Sequence, residues 1–144
     1  MSFARIALLA AALGLSACNT GPRAYIYAGG SQASVQRTIS VPRGSTASLG
    51  FAAKINPDCS RADSPDRVTL TQAPSHGRVE IRHEAGYAYF RPGNPRSRCN
   101  TQRVPGIKLF YHAGPSASGT DTFSYDWYSG SGGIAHVTVT VNIL

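Results

Sequence analysis

Five basic residues, Arg91, Arg96, Arg98, Arg103 and Lys108, fall in one segment with no acidic residue between its ends. Guanidinium groups present flat, forked donors that match carboxylate and phosphate oxygens. Tyr87, Tyr89 and Phe90 lie just upstream and could add a stacking surface. This segment is the candidate ligand-binding site; the plain alternative is a solvated loop with scattered charge. The four histidines, His76, His83, His112 and His136, form no H-x-H or H-x-x-x-H pair. A transition-metal site would need several of them to converge from different elements, so no metal ligand is nominated. Asp58, Asp63 and Asp66 share a loop, but a calcium loop wants alternate acidic positions around a central glycine, and Arg61 sits among them. Asp121 follows Gly119-Thr120 and is read as a structural carboxylate bonding nearby backbone N–H groups, in preference to a metal ligand. There is no G-x-S-x-G, and Ser116 and Ser118 sit in a plain Pro/Ser/Gly loop. No catalytic residue, no enzyme activity and no cofactor are expected.

Charge and cysteines give the setting. The chain has 144 residues, a net charge of +7, a pI near 9.8 and three cysteines. A basic balance favours anionic surroundings. An odd cysteine count needs an explanation, and the N-terminus offers one. Arg5 is followed by an apolar run, Ile6 to Leu15, too short to span a bilayer. Leu15-Ser16-Ala17-Cys18 then resembles the lipobox of bacterial lipoproteins, in which the cysteine is acylated and becomes the mature N-terminus. An ordinary signal peptide cut near Ala17 is the alternative. The resemblance implies a signal peptide over 1–17, lipidation at Cys18 and a membrane anchor through its acyl chains. Cys59 and Cys99 then remain as a pair, and outside the cytoplasm such a pair is expected to form a disulfide.

These residues need a scaffold, and the chain after the leader reads as strands. Phe123, Tyr125 and Trp127 alternate with polar residues, as do Ala135, Val137, Val139, Val141 and Ile143. A period of two over that length marks strands with one wet and one dry face. Ser129 to Gly133 supplies the turn between them. Upstream, strands are expected over 38–41, over 46–55 with Ala47, Leu49, Phe51, Ala53 and Ile55 on one face, around Val68 and Leu70, and around Val79 and Ile81. Further turns and strands follow: a turn at His83 to Gly86, a strand at Tyr87 to Phe90, a loop from Pro92 to Pro105, and a strand through Ile107, Leu109 and Tyr111. No helix is expected after the leader. The fold class is all-β, an antiparallel sandwich of seven or eight strands over 37–144, with 18–36 as a lipidated tether.

P-x-H-G-x-V at Pro74 to Val79, Y-A-Y-F-R-P at Tyr87 to Pro92, and G-T-D-T-F-S-Y followed by S-G-S-G-G and V-T-V-T-V occur in that order. Together they resemble the bacterial cadherin-like and Ig-like repeat modules of cell-surface proteins, here in a single copy over 38–143. The resemblance implies an Ig-like sandwich and a binding, adhesive or spacer role. It also makes Tyr125 similar to the aromatic that closes sandwich corners. Ser129 stands where many such modules carry an aspartate, so their calcium sites do not transfer.

The expectation is a non-catalytic lipoprotein of the cell envelope, lipid-anchored, on the outer membrane and facing the periplasm. Its basic loop would bind an anionic envelope polymer: acidic glycan, peptidoglycan or lipid phosphate. A structural or assembly partnership with another envelope protein is the alternative, and nucleic acid is not expected.

Overall fold

The structure is a computed structural model and describes residues 32–144; the leader, Cys18 and most of the tether lie outside the described residues. Among the described residues there are seven strands and one short 3-10 turn: β1 Gln32–Val41, β2 Thr46–Ala52, β3 Arg67–Gln72, β4 Gly77–Tyr87, the 3-10 turn Ser97–Thr101, β5 Arg103–Ala113, β6 Gly119–Tyr128 and β7 Ile134–Ile143. They form a four-stranded sheet in the order β1-β7-β6-β3 and a three-stranded sheet in the order β2-β5-β4. The fold is a two-sheet β-sandwich.

The β6–β7 hairpin is the centre of the larger sheet. Its dry face carries Phe123, Tyr125, Ala135, Val137, Val139 and Val141, all buried. The opposite sheet answers with Leu49, Ile107, Leu109 and Tyr111. Tyr111 and Phe123 stack across the core with ring centroids 5.7 Å apart. One pairing departs from the antiparallel expectation: β1 lies parallel to β7 along its full length, from Gln32 opposite Ile134 to Val41 opposite Ile143. Residues 32–36, expected in the tether, are therefore strand.

Two further departures have one cause. The alternation of β2 breaks at Gly50, where the register to β5 slips by one residue and φ is +132°. A bulge of this kind turns every later side chain to the other face. Phe51 thus leaves the face it shares by simple alternation with Leu49 and lies over Gly86 and Gly106. A Cβ on Gly86 would sit 2.9 Å from the Phe51 ring. Gly86 is consequently not a turn residue. It is a position in β4 where a ring needs the space, and β4 runs unbroken through His83 to Tyr87. The strand expected at Tyr87 to Phe90 does not form beyond Tyr87. The side chain of Asn100 takes the place of a partner strand: its Oδ1 accepts from Phe90 N at 2.8 Å and its Nδ2 donates to Phe90 O at 2.8 Å.

A second, smaller core follows from the bulge. Ile55, Cys99 and Val104 are buried together, with Phe51, Ala53, Cys59, Ala88 and Phe90 packed against them. Phe51 and Val104 belong to the outward face of the three-stranded sheet, the face of Lys108 and Gly86. The loops on either side therefore fold over the outside of that sheet and cover it at one end.

Candidate binding surface around the Cys59–Cys99 bridge

The two covering loops are joined by a disulfide between Cys59 and Cys99, with Cα atoms 5.5 Å apart. Two arginines repeat the connection at alternate positions. Arg96 Nε donates to the Ile55 carbonyl at 2.6 Å and Arg98 Nε donates to the Pro57 carbonyl at 2.7 Å. Ile55, Pro57 and Cys59 are thus each fastened to the opposite loop. These loops have little regular pairing of their own, so their carbonyls need donors from elsewhere.

The same geometry fixes the rest of the candidate set. Arg103 Nη2 donates to the Ala85 carbonyl at 2.7 Å, and Lys108 Nζ pairs with Glu84 Oε1 at 2.8 Å. The hydrogen bond from Lys108 holds the Glu84 carboxyl below its ordinary value. Arg91, Arg98 and Arg103 are exposed, and Arg96 and Lys108 are half-buried. The five residues therefore do two jobs. Four of them hold backbone or a carboxylate, and exposed guanidinium surface remains at Arg91, Arg98 and Arg103. Tyr87 and Tyr89 are exposed beside them, at 63% and 54%.

The bridge also brings in cations that no single segment contains. Lys54 and Arg61 flank the loop that carries Cys59, with Arg61 bridged in antiparallel fashion to Ile55. An open cleft of about 220 Å³ lies beside them. It is lined by Lys54, Arg61, His83, Glu84, Asp66 and the apolar residues Ala52, Ala53, Ala85, Pro105 and Ile107, among others. Sequence reasoning missed this cleft, because its walls come from β2, β4, β5 and the Cys59 loop, and no local spacing announces such a meeting.

Asp121 fills the structural role expected of it, and more. It accepts from Ser75 N at 2.8 Å, His76 N at 3.0 Å, Thr122 N at 2.9 Å and Tyr111 Oη at 2.7 Å. It therefore fastens the start of β6 to the turn between β3 and β4. Burial works against its charge, but these bonds outweigh burial and hold the carboxyl below its ordinary value. The same pair, through burial first and the Asp121 bond second, pushes the Tyr111 hydroxyl upward. Tyr111, not Tyr125, makes this tie. Tyr125 is buried in the core with its hydroxyl also raised by burial, and Arg37 beside it opposes that shift.

The histidines stay apart. His112 Nε2 meets Glu80 Oε2 at 2.7 Å and its Nδ1 meets Thr46 Oγ1 at 2.8 Å, while His136 Nδ1 meets Asp126 Oδ1 at 2.7 Å. Thr46, His112 and Glu80 line up as hydroxyl, imidazole and carboxylate, the order of a nucleophilic relay. Their surroundings oppose that use. Arg82 takes both Glu80 oxygens, at 2.7 and 3.0 Å, and Arg78 lies 3.5 Å away. The Arg82 bonds, followed by that of His112, pull the Glu80 carboxyl down to about 2 against the cost of desolvation. A carboxylate answered by two guanidiniums has little charge left with which to stabilise an imidazolium. On the sheet face Thr46 and Arg78 stand opposite His112 from either side, and Glu80 reaches His112 from the diagonal position opposite Phe110, as cross-strand neighbours do. Among the described residues no group of three or more His, Cys, Asp or Glu side chains could hold a metal ion. Asp58 folds back on Ser60 and Asp66 accepts from Gly130 N at 3.1 Å.

No family model matches the chain, and no curated protein matches it. Among solved structures, the solution structure of Amebosin is similar with a TM-score of 0.43 and 11% identity, over 78% of this chain and 98% of that one. The structure of PbICP-C in complex with falcipain-2 is similar with a TM-score of 0.38 and 12% identity, over 80% of this chain and 92% of that one. At these values the likeness adds nothing to the sandwich described from its own strands.

Proposed function

We propose that this chain is a non-catalytic lipoprotein of the cell envelope, anchored through acyl chains on Cys18. Its sandwich would bind an anionic polymer of the envelope at the disulfide-tied loops. The single observation that supports this is the fastening of the basic segment. Arg96, Arg98 and Cys99 hold it to the Cys59 loop, so Arg91, Arg98 and Arg103 project from a backbone already in place. Preorganised groups lose less freedom on binding than groups on a loose loop. Acidic glycan, the carboxylates of peptidoglycan and lipid phosphate all carry the required charge.

The test is retention of the protein on purified peptidoglycan and on an acidic-glycan resin at low and high salt. Retention should fall as salt rises, because exposed charges are screened. Arg91→Ser combined with Arg103→Ser should lower retention at a small cost in melting temperature, because the Arg103 bond to the Ala85 carbonyl is exposed and water can replace it. Equal retention of parent and variant would remove the basic loop from the function. An assembly role with another envelope protein, through a sheet edge, would then take its place.

A further inference from the structure

The cleft beside the Cys59 loop joins two kinds of wall. Ala52, Ala53, Ala85, Pro105 and Ile107 are apolar, while the basic residues Lys54 and Arg61 and the imidazole-bearing His83 line the same space. The ion pairs among the described residues join Arg78, Arg82 and His112 to Glu80, Lys108 to Glu84, and His136 to Asp126. Lys54 and Arg61 take part in none of them. The acidic residues that border the cleft are already engaged: Glu84 by Lys108 and Asp66 by the Gly130 N–H. Lys54 is also held in place. Its carbonyl accepts from Ala62 N at 3.3 Å, and its stem lies so close to Gly130 that an added Cβ there would run 2.8 Å from Lys54 Cδ.

We infer that this cleft is a binding site for a small carboxylate with a short apolar group, of the kind found at the C-terminus of a peptide ending in alanine. Lys54 and Arg61 would take the carboxylate oxygens, and the alanine and proline wall would take the methyl group. The volume of about 220 Å³ lies below the roughly 300–1,000 Å³ of pockets for larger ligands, so the occupant is one residue or a short acyl group. A phosphate dianion suits the cleft less well, because Asp66 and Glu84 stand on its border and repel a second negative charge. This site does not depend on the basic loop, and it calls on none of Arg91, Arg96, Arg98 and Arg103.

The experiment is a titration of the 15N-labelled protein with N-acetylalanine, followed by amide shifts in two-dimensional NMR. Parallel titrations use N-acetylalaninamide and inorganic phosphate. N-acetylalanine at millimolar concentration should shift the amides of Ala53, Lys54 and Gly106 with saturation, while the amide and phosphate should leave them in place. Lys54→Gln with Arg61→Gln should weaken the binding by about tenfold or more, as loss of charge-assisted hydrogen bonds requires. Absent shifts, or equal shifts with N-acetylalaninamide, would overturn the proposal, and equal binding of phosphate would overturn the ligand class. Should the double variant fail to fold, the comparison of acid with amide on the parent protein decides the matter alone.

Discussion

Arg96 Nε sits 2.6 Å from the Ile55 carbonyl, 41 residues away in the chain. The side chain that looked like a free binding arginine is thus a fastener for a buried neighbour, since Ile55 is 1% exposed. Arg96→Ser should destabilise the fold by about 1–3 kcal/mol, by removing a charged donor from a carbonyl with little access to water. Arg91→Ser should stay within about 0.5 kcal/mol of the parent. Urea unfolding of both variants checks this. Equal stability of the two would mean that the Arg96 bond carries no weight.

The Cys59–Cys99 bridge closes a separation of 40 residues. On the chain-entropy account a loop of that size contributes about 4 kcal/mol, less where the reduced chain keeps structure. The double variant Cys59→Ala, Cys99→Ala should lose a comparable amount in denaturant. It should also lose protection from hydrogen exchange around Ile55 and Val104 before the main core opens, because these residues form the smaller cluster.

Asp121 sets an acid limit on stability. Its carboxyl is held below the value it takes in the unfolded chain. A group of this kind stabilises fully above its unfolded value, about 4, and the contribution fades as pH falls through the folded value. Asp121→Asn keeps the shape but turns an amide NH2 towards N–H donors. It should cost about 3 kcal/mol at neutral pH and flatten the fall in stability below pH 4. Melting temperatures from pH 2 to pH 7 would show both effects, and an unchanged acid limb would assign the limit to other carboxylates.

Asn100 offers a sharper contrast. Asn100→Asp removes the donor to Phe90 O and sets an acceptor against it, whereas the donor from Phe90 N remains satisfied. A loss of about 1–3 kcal/mol is expected, from one broken bond and one carbonyl left without a partner. Thermal unfolding of Asn100→Asp beside Asn100→Ala tests this; a fully stable Asn100→Asp would show that water replaces the bond.

The β6–β7 hairpin was legible in the chain itself. Alternation of Phe123, Tyr125 and Trp127 with Thr122, Ser124 and Asp126 needs no partner to be recognised, because a pleated strand with one buried face imposes that period locally. The pairing of Cys59 with Cys99 followed from the cysteine count once Cys18 was set aside for the expected lipidation, and the bridge is present. Other features depended on contacts between distant residues. Gly50 and Gly86 look alike in the sequence, yet one is a bulge at φ +132° and the other makes room for the Phe51 ring. The parallel pairing of β1 with β7 joins the two ends of the domain, and its polar half, Gln32 to Gln36, has no apolar run to mark it as strand. The basic segment was visible as charge, but whether Arg96 faces water or the Ile55 carbonyl depends on a loop 41 residues upstream. Local patterning carries which face is wet; it carries nothing about which two loops will meet, because long-range packing decides which backbone groups lose their water and must find a donor.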